Sequence, residues 1–183
     1  NGMPYAALEW AESGDETKTH HFLIALSLPT QLAGRVQFKT RKAGWPAQDP
    51  NLEFENVELI SADFKRNFKV RATDQMEARF VFDPAVIARL TDYAEAKMAA
   101  QASQPGGEKI KIRGAVFGQH LVVDFIGESR FDLLDLQSGE WDMARIQKSM
   151  DDFKDILSLV GGIAGVFETH LKPGVLPHRE NAA

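Results

Sequence analysis

The sequence contains no cysteine. Disulfides, thiolate nucleophiles and cysteine-based zinc sites are therefore excluded, while the redox compartment stays open. It also lacks a Gly-x-Ser-x-Gly, a P-loop and a Gly-x-Gly-x-x-Gly run, so three common signatures of catalysis and nucleotide binding are missing. No apolar run reaches the roughly 18 residues of a transmembrane helix, and no signal peptide is visible. A basic excess is absent too. The formal net charge is −5, which argues against a general nucleic-acid binder.

What is present is ordinary in amount and uneven in placement. The 183 residues are 44% hydrophobic and 26% charged, enough for one globular domain whose core needs no covalent staple. Residues 1–171 are expected to form that single α+β domain and 172–183 a flexible tail. Residues 34–72 carry eight bases (Arg35, Lys39, Arg41, Lys42, Lys65, Arg66, Lys69, Arg71) against five acids, and residues 132–155 carry seven acids against three bases. Most such runs are solvated faces. The sharper reading is a basic face turned toward an anionic lipid surface or an unknown protein partner.

Along the chain, residues 5–10 and 20–28 read as strands, the second with Phe22, Ile24, Leu26 and Leu28 on one face and Pro29 as its stop. Residues 34–40 alternate again, 43–51 form a Pro-containing loop, and 54–60 form a further strand. Ser61 is placed to cap a helical turn, and Asp83-Pro84 to start a longer helix with the stripe Val86, Ile87, Leu90, Tyr93, Ala94 and Met98. Residues 101–108 read as a loop. Residues 109–128 read as a hairpin turning near Gly118-Gln119. A last helix is expected from about Glu140, capped by Ser138, with a stripe from Met143 and Ile146 through Met150, Phe153, Ile156 and Leu157 to Val160. The sum is an α+β fold: an antiparallel sheet of about six to eight strands with two main helices packed on it.

The densest pattern is "NFKVRATDQMEARFVFDP", Asn67 to Pro84. With Thr73-Asp74-Gln75 as a hairpin loop, Phe68 faces Phe80, Val70 faces Ala78 and Ala72 faces Met76 on a buried side. Arg71 then opposes Glu77 on the outer side with Arg79 beside them, an exposed pair worth about 0.2–1 kcal/mol. Arg71, Glu77, Arg79, Arg35, Lys39 and Lys69 are the candidate contacts for a ligand or partner. No catalytic residue stands out.

The same stretch carries a resemblance. The order Phe64, Phe68, Val70, Asp74, Gln75, Glu77, Ala78, Arg79, Phe80, Pro84, Arg89 and Leu90 resembles the core of the bacterial domain of unknown function 3137, and the likeness extends over about Phe22 to Ile163. Asp83 stands where that family more often has Thr, and both residues cap helices. The resemblance implies a soluble part of a membrane protein, anchored through segments outside this chain with the domain on the cytoplasmic side. It implies no activity.

Other chemistry is sparse. His20 and His21 are neighbours on a strand and point to opposite faces, so they cannot chelate one ion together, and His120 and Asp124 lie about 13 Å apart by strand rise. No metal and no cofactor are expected. The carboxylate clusters Glu9, Glu12, Asp15, Glu16 and Asp151, Asp152, Asp155 read as solvent-facing. Residues 156–167 are uncharged and contain Gly161, Gly162 and Gly165. They read as the core-facing end of the last helix, or as a contact for a second copy or a membrane. The leading expectation is a binding or scaffolding module. The alternative is a hydrolase-like enzyme whose site, assembled across the sheet, joins Glu77, Arg79 and a histidine.

Overall fold

Alternation of apolar side chains fixes two long strands, and everything else packs on them. The computed structural model describes residues 5–13, 18–47, 49–102, 111–127 and 143–170. Strand β1 (Tyr5–Ser13) leads into β2 (Lys18–Thr40), a single strand of 23 residues. A two-residue β3 (Glu55–Asn56), helix α1 (Ala62–Asn67), strand β4 (Phe68–Ala72), helix α2 (Gln75–Val81) and helix α3 (Pro84–Ala102) follow. Strand β5 (Lys111–Gly127) and helix α4 (Met143–His170) complete the described chain.

Among the described residues the sheet has five strands and is antiparallel throughout, in the path β1-β2-β4-β3 with β5 on the other side of β2. The α+β class holds, with fewer strands and more helices than the alternation suggested. Three sequence breaks, one read as a strand end and two as hairpin turns, take other roles in the structure. Pro29 lies inside β2, where the pairing with β5 is interrupted between Ser27 and Leu32. A proline without a ladder partner costs the strand nothing there. Gly118 lies inside β5 with φ +55°, the partner of Leu32 at the same irregularity. It is a bulge, and it shifts the buried set of β5 from Ile112, Gly114 and Val116 to Leu121, Val123 and Phe125.

The third break is the most consequential. Residues 75–81 are a helix, so the expected hairpin with its Arg71–Glu77 pair does not form. Asp74 caps α2, its Oδ1 accepting the amides of Met76 (2.8 Å) and Glu77 (3.1 Å). The spacing Asp74-x-x-Glu77 is that of a capping box. Phe80, expected opposite Phe68, packs only partly against the core.

The helices cover one face. Phe22, Ile24, Val36 and Phe38 of β2, Val70 of β4, and Ile112 and Val123 of β5 meet Phe64 of α1, Ala78 and Val81 of α2, Leu90 of α3 and Ile156 and Ile163 of α4 in one apolar cluster. Ser61 and Asp83 cap α1 and α3 as expected, Ser61 Oγ accepting from Phe64 N (3.2 Å) and Asp83 Oδ1 from Ala85 N (2.7 Å). Met98, Met143 and Met150 are exposed, off the buried stripes. Lys97 joins α3 to α4 through Asp152 (2.6 Å) and Asp155 (2.7 Å), so two of the acids expected to face solvent alone are engaged. Among the described residues no helix is long and apolar enough to cross a membrane. The Ser138 cap, the Glu140 start, the 103–108 loop and the 172–183 tail lie outside the described residues.

Candidate functional site

The side of the sheet away from the helices carries the odd-numbered residues of β2, β4 and the first half of β5. Because β4 pairs β2 and β2 pairs β5, three cations fall in one row: Lys69 opposite Lys39, and Lys39 opposite Arg113. The next row is Arg71, Gln37 and Ala115. Like charges directly opposite each other destabilise a sheet. Arg113 is answered by Asp124, its Nε donating to Oδ2 at 2.8 Å. Lys39, Lys69 and Arg71 have no carboxylate partner among the described residues.

Loop 43–54 lies on this face. Trp45 stacks on the Arg71 guanidinium at 4.3 Å, and Phe54 lies 4.9 Å from the same carbon. Two rings thus contact one cation, which also donates Nε (2.9 Å) and Nη2 (2.7 Å) to Gln37 Oε1. Lys39 reaches under the same indole, 5.3 Å from its centre, and donates to the carbonyl of Ala43. Lys39 is only 9% exposed. Burial, then repulsion from Lys69 and Arg71, pulls its ammonium below the ordinary lysine range, and burial lowers Arg71 as well. A buried ammonium held by one carbonyl, with two cations beside it, is an open invitation to an anion.

Three of the six sequence candidates therefore meet: Lys39, Lys69 and Arg71. Arg35 lies on the same strand face, its guanidinium 6.0 Å from the Phe117 ring. Glu77 and Arg79 are elsewhere. Glu77 on α2 accepts the amides of Ala33 (3.0 Å) and Gly34 (2.7 Å) in the β2 irregularity, and Arg79 is exposed and makes one long contact to Gln75 (3.5 Å). No hydrogen bond or ion pair joins either of them to a histidine among the described residues. Trp45, Phe54 and Gln37 were not singled out by sequence, although two aromatics in a polar loop beside basic strands were a usable signal.

A second polar cluster sits farther along β2. His21 is 3% exposed, donates Nδ1 to Asp124 (3.0 Å) and stacks on Trp10 at 4.8 Å between centroids. Its Nε2 faces Glu12 at 3.7 Å. His20 shares the even-numbered Phe22 face but stays partly exposed near the start of β2, whereas His21, on the opposite face, is buried beneath Trp10 and held by Asp124. The pair ties β1 and β5 to β2, and the stacked indole covers the ring.

Gly161, Gly162 and Gly165 all lie inside α4. A methyl on Gly162 meets the Arg89 guanidinium at 2.4 Å, whereas one on Gly161 or Gly165 meets nothing within 4 Å. The latter two border an open groove of about 300 Å³ with Tyr5, Leu26, Leu157 and Glu168.

Residues 21–164 match the family described as "Protein of unknown function (DUF3137)". No curated protein matches the chain. Among solved structures the chain is similar to the crystal structure of the mycobacterial trehalose monomycolate transport factor A, TtfA, at 13% identity and a TM-score of 0.34, covering 81% of this chain and 70% of that one.

Proposed function

The chain belongs to the DUF3137 family, and from that premise we propose that it is a binding or scaffolding module of a membrane-anchored bacterial protein, with the outer face of its sheet turned toward anionic lipid. One observation carries this reading: Lys39, Lys69 and Arg71 lie together on adjacent strands without a carboxylate among the described residues. The resemblance to membrane proteins supports the anchored setting, with the anchor in segments outside this chain.

The magnitudes suit a tethered domain. Each cation near an anionic surface contributes about 1 kcal/mol, decaying over a Debye length of about 8 Å at physiological salt. Three in reach give about 3 kcal/mol, weaker than millimolar binding. That is too little to recruit a free domain and enough to orient one already held at the surface.

Vesicle co-sedimentation tests the reading. The isolated chain should bind anionic vesicles weakly at low salt, release them as salt rises, and ignore neutral vesicles. Equal sedimentation with both lipids at low salt removes the membrane-facing assignment and favours a protein partner.

A further inference from the structure

The basic face is not uniform, and its centre has the makings of a discrete site. Lys39 Nζ spends one hydrogen on Ala43 O and keeps two. Arg71 is held against the Trp45 and Phe54 rings, and Gln37 takes Nε and one hydrogen of Nη2. Its Nη1 makes no hydrogen bond among the described residues. A guanidinium packed on aromatic rings and fixed through Nε keeps its remaining donors available for an oxyanion fork. Lys69, opposite Lys39, adds an exposed ammonium.

Resting on the reading of this face as an anion-docking surface, we infer that Lys39, Lys69 and the free end of Arg71 form a subsite for a phosphate-class oxyanion presented by a lipid headgroup. A planar carboxylate offers two oxygens and one charge. A phosphate offers at least two free oxygens with up to two charges, and a monoester offers three. That count matches three uncompensated donors better. The fixed position of Lys39 is what separates this centre from a diffuse basic surface: its stem is buried and its ammonium is held on the carbonyl of Ala43 before an anion arrives. The indole of Trp45 walls the site on the loop side and reports on it.

Inorganic phosphate is the first probe. At about 10 mM it should raise the thermal midpoint by a few degrees over chloride of equal ionic strength, as a ligand at ten times a Kd of about 1 mM does. Lys39→Met and Lys69→Met should each weaken phosphate at least about tenfold, each read against its own baseline, and Arg79→Met should leave it unchanged. Trp45 fluorescence follows the same titration independently of unfolding. The second probe is vesicles matched in surface potential: phosphatidic acid, whose phosphate monoester is exposed, should bind more chain than phosphatidylserine.

No rise beyond chloride, or an equal loss in Arg79→Met, overturns the subsite. If anionic vesicles still bind in that case, the docking face stands without it. A phosphate response with no preference for phosphatidic acid overturns the headgroup source and leaves a site for free phosphate. A phosphatidic acid preference untouched by Lys39→Met and Lys69→Met overturns the choice of residues.

Discussion

The carboxylate of Glu77 accepts the amide of Gly34 at 2.7 Å across 43 residues of chain. With the second bond from Ala33 it satisfies two donors that β2 leaves unpaired where its ladder with β5 breaks. An added Cβ at Gly34 would lie 2.8 Å from Glu77 Oε2, so the close approach needs glycine. The structure thus trades an expected surface ion pair for a latch between α2 and the bend of β2. Glu77→Ala should cost about 2 kcal/mol in urea unfolding, within the range for hydrogen bonds to a charged group, and Glu77→Gln about half of that. A loss under about 0.5 kcal/mol would mean that water replaces the carboxylate.

Arg71 was expected to be an inexpensive surface residue. Its two hydrogen bonds to Gln37 and its contacts with the Trp45 and Phe54 rings raise the stake. Arg71→Ala should cost about 2–3 kcal/mol, combining the lost hydrogen bonds with a partly desolvated cation–π contact. Trp45 fluorescence should shift in the folded variant, and an unchanged spectrum would argue against the contact between Arg71 and the indole.

Lys39 works in the opposite direction. Its folded pKa lies below its ordinary value of 10.5, so the unfolded chain binds the extra proton and stability rises with pH between the two values. Lys39→Met should therefore be more stable than the parent at neutral pH, by under about 1 kcal/mol because solvent screens the ammonium, as expected where a site is kept at a cost in stability. Paired urea melts from pH 7 to 10.5 should show that advantage shrinking as the parent lysine discharges. An advantage independent of pH would place its origin in packing.

Lys97 carries the reverse sign. Burial disfavours its charge, but the hydrogen bonds it donates to Asp152 and Asp155 outweigh it and raise the pKa above 10.5. Its contribution is fully present below the ordinary lysine value and is lost as pH climbs through the raised one. Lys97→Met should cost about 1–2 kcal/mol at pH 7, since the pair is only partly screened. The difference should close above pH 10.5.

The glycines of α4 separate two roles. Gly161→Ala and Gly165→Ala meet no neighbour and should stabilise the helix by about 1 kcal/mol each. If the groove beside them receives a second copy of the chain, the same changes should weaken self-association in sedimentation equilibrium. Stabilised variants with unchanged association would remove that role. Gly162→Ala must displace Arg89, so its gain should be smaller.

The sequence was most legible where local chemistry decides alone. The Ser61 and Asp83 caps and the buried faces of β2 and α3 follow from period and capping residues. Errors arose where one pattern serves two structures. Alternation in Asn67 to Pro84 also satisfies a short helix, and Ala78, Val81 and Phe82 are the buried positions of that helix and its end. Pro29 and Gly118 interrupt periodicity, and an interruption reads as a turn unless the partner strand is known. Bulges are settled by the facing chain. The basic site was half legible for the same reason: the cations are local, but their row across three strands is a tertiary fact.

The length of β2 has a consequence during synthesis. Its main partner, β5, begins roughly seventy residues after β2 ends, an interval of about 4–14 s at ribosomal rates of roughly 5–20 residues per second. For that time a 23-residue strand with an apolar face has left the ribosome without the neighbour it pairs with most extensively. A proline midway denies any stray strand a continuous ladder. Pro29 thereby guards the nascent chain at a place where the finished sheet leaves β2 without a partner in β5.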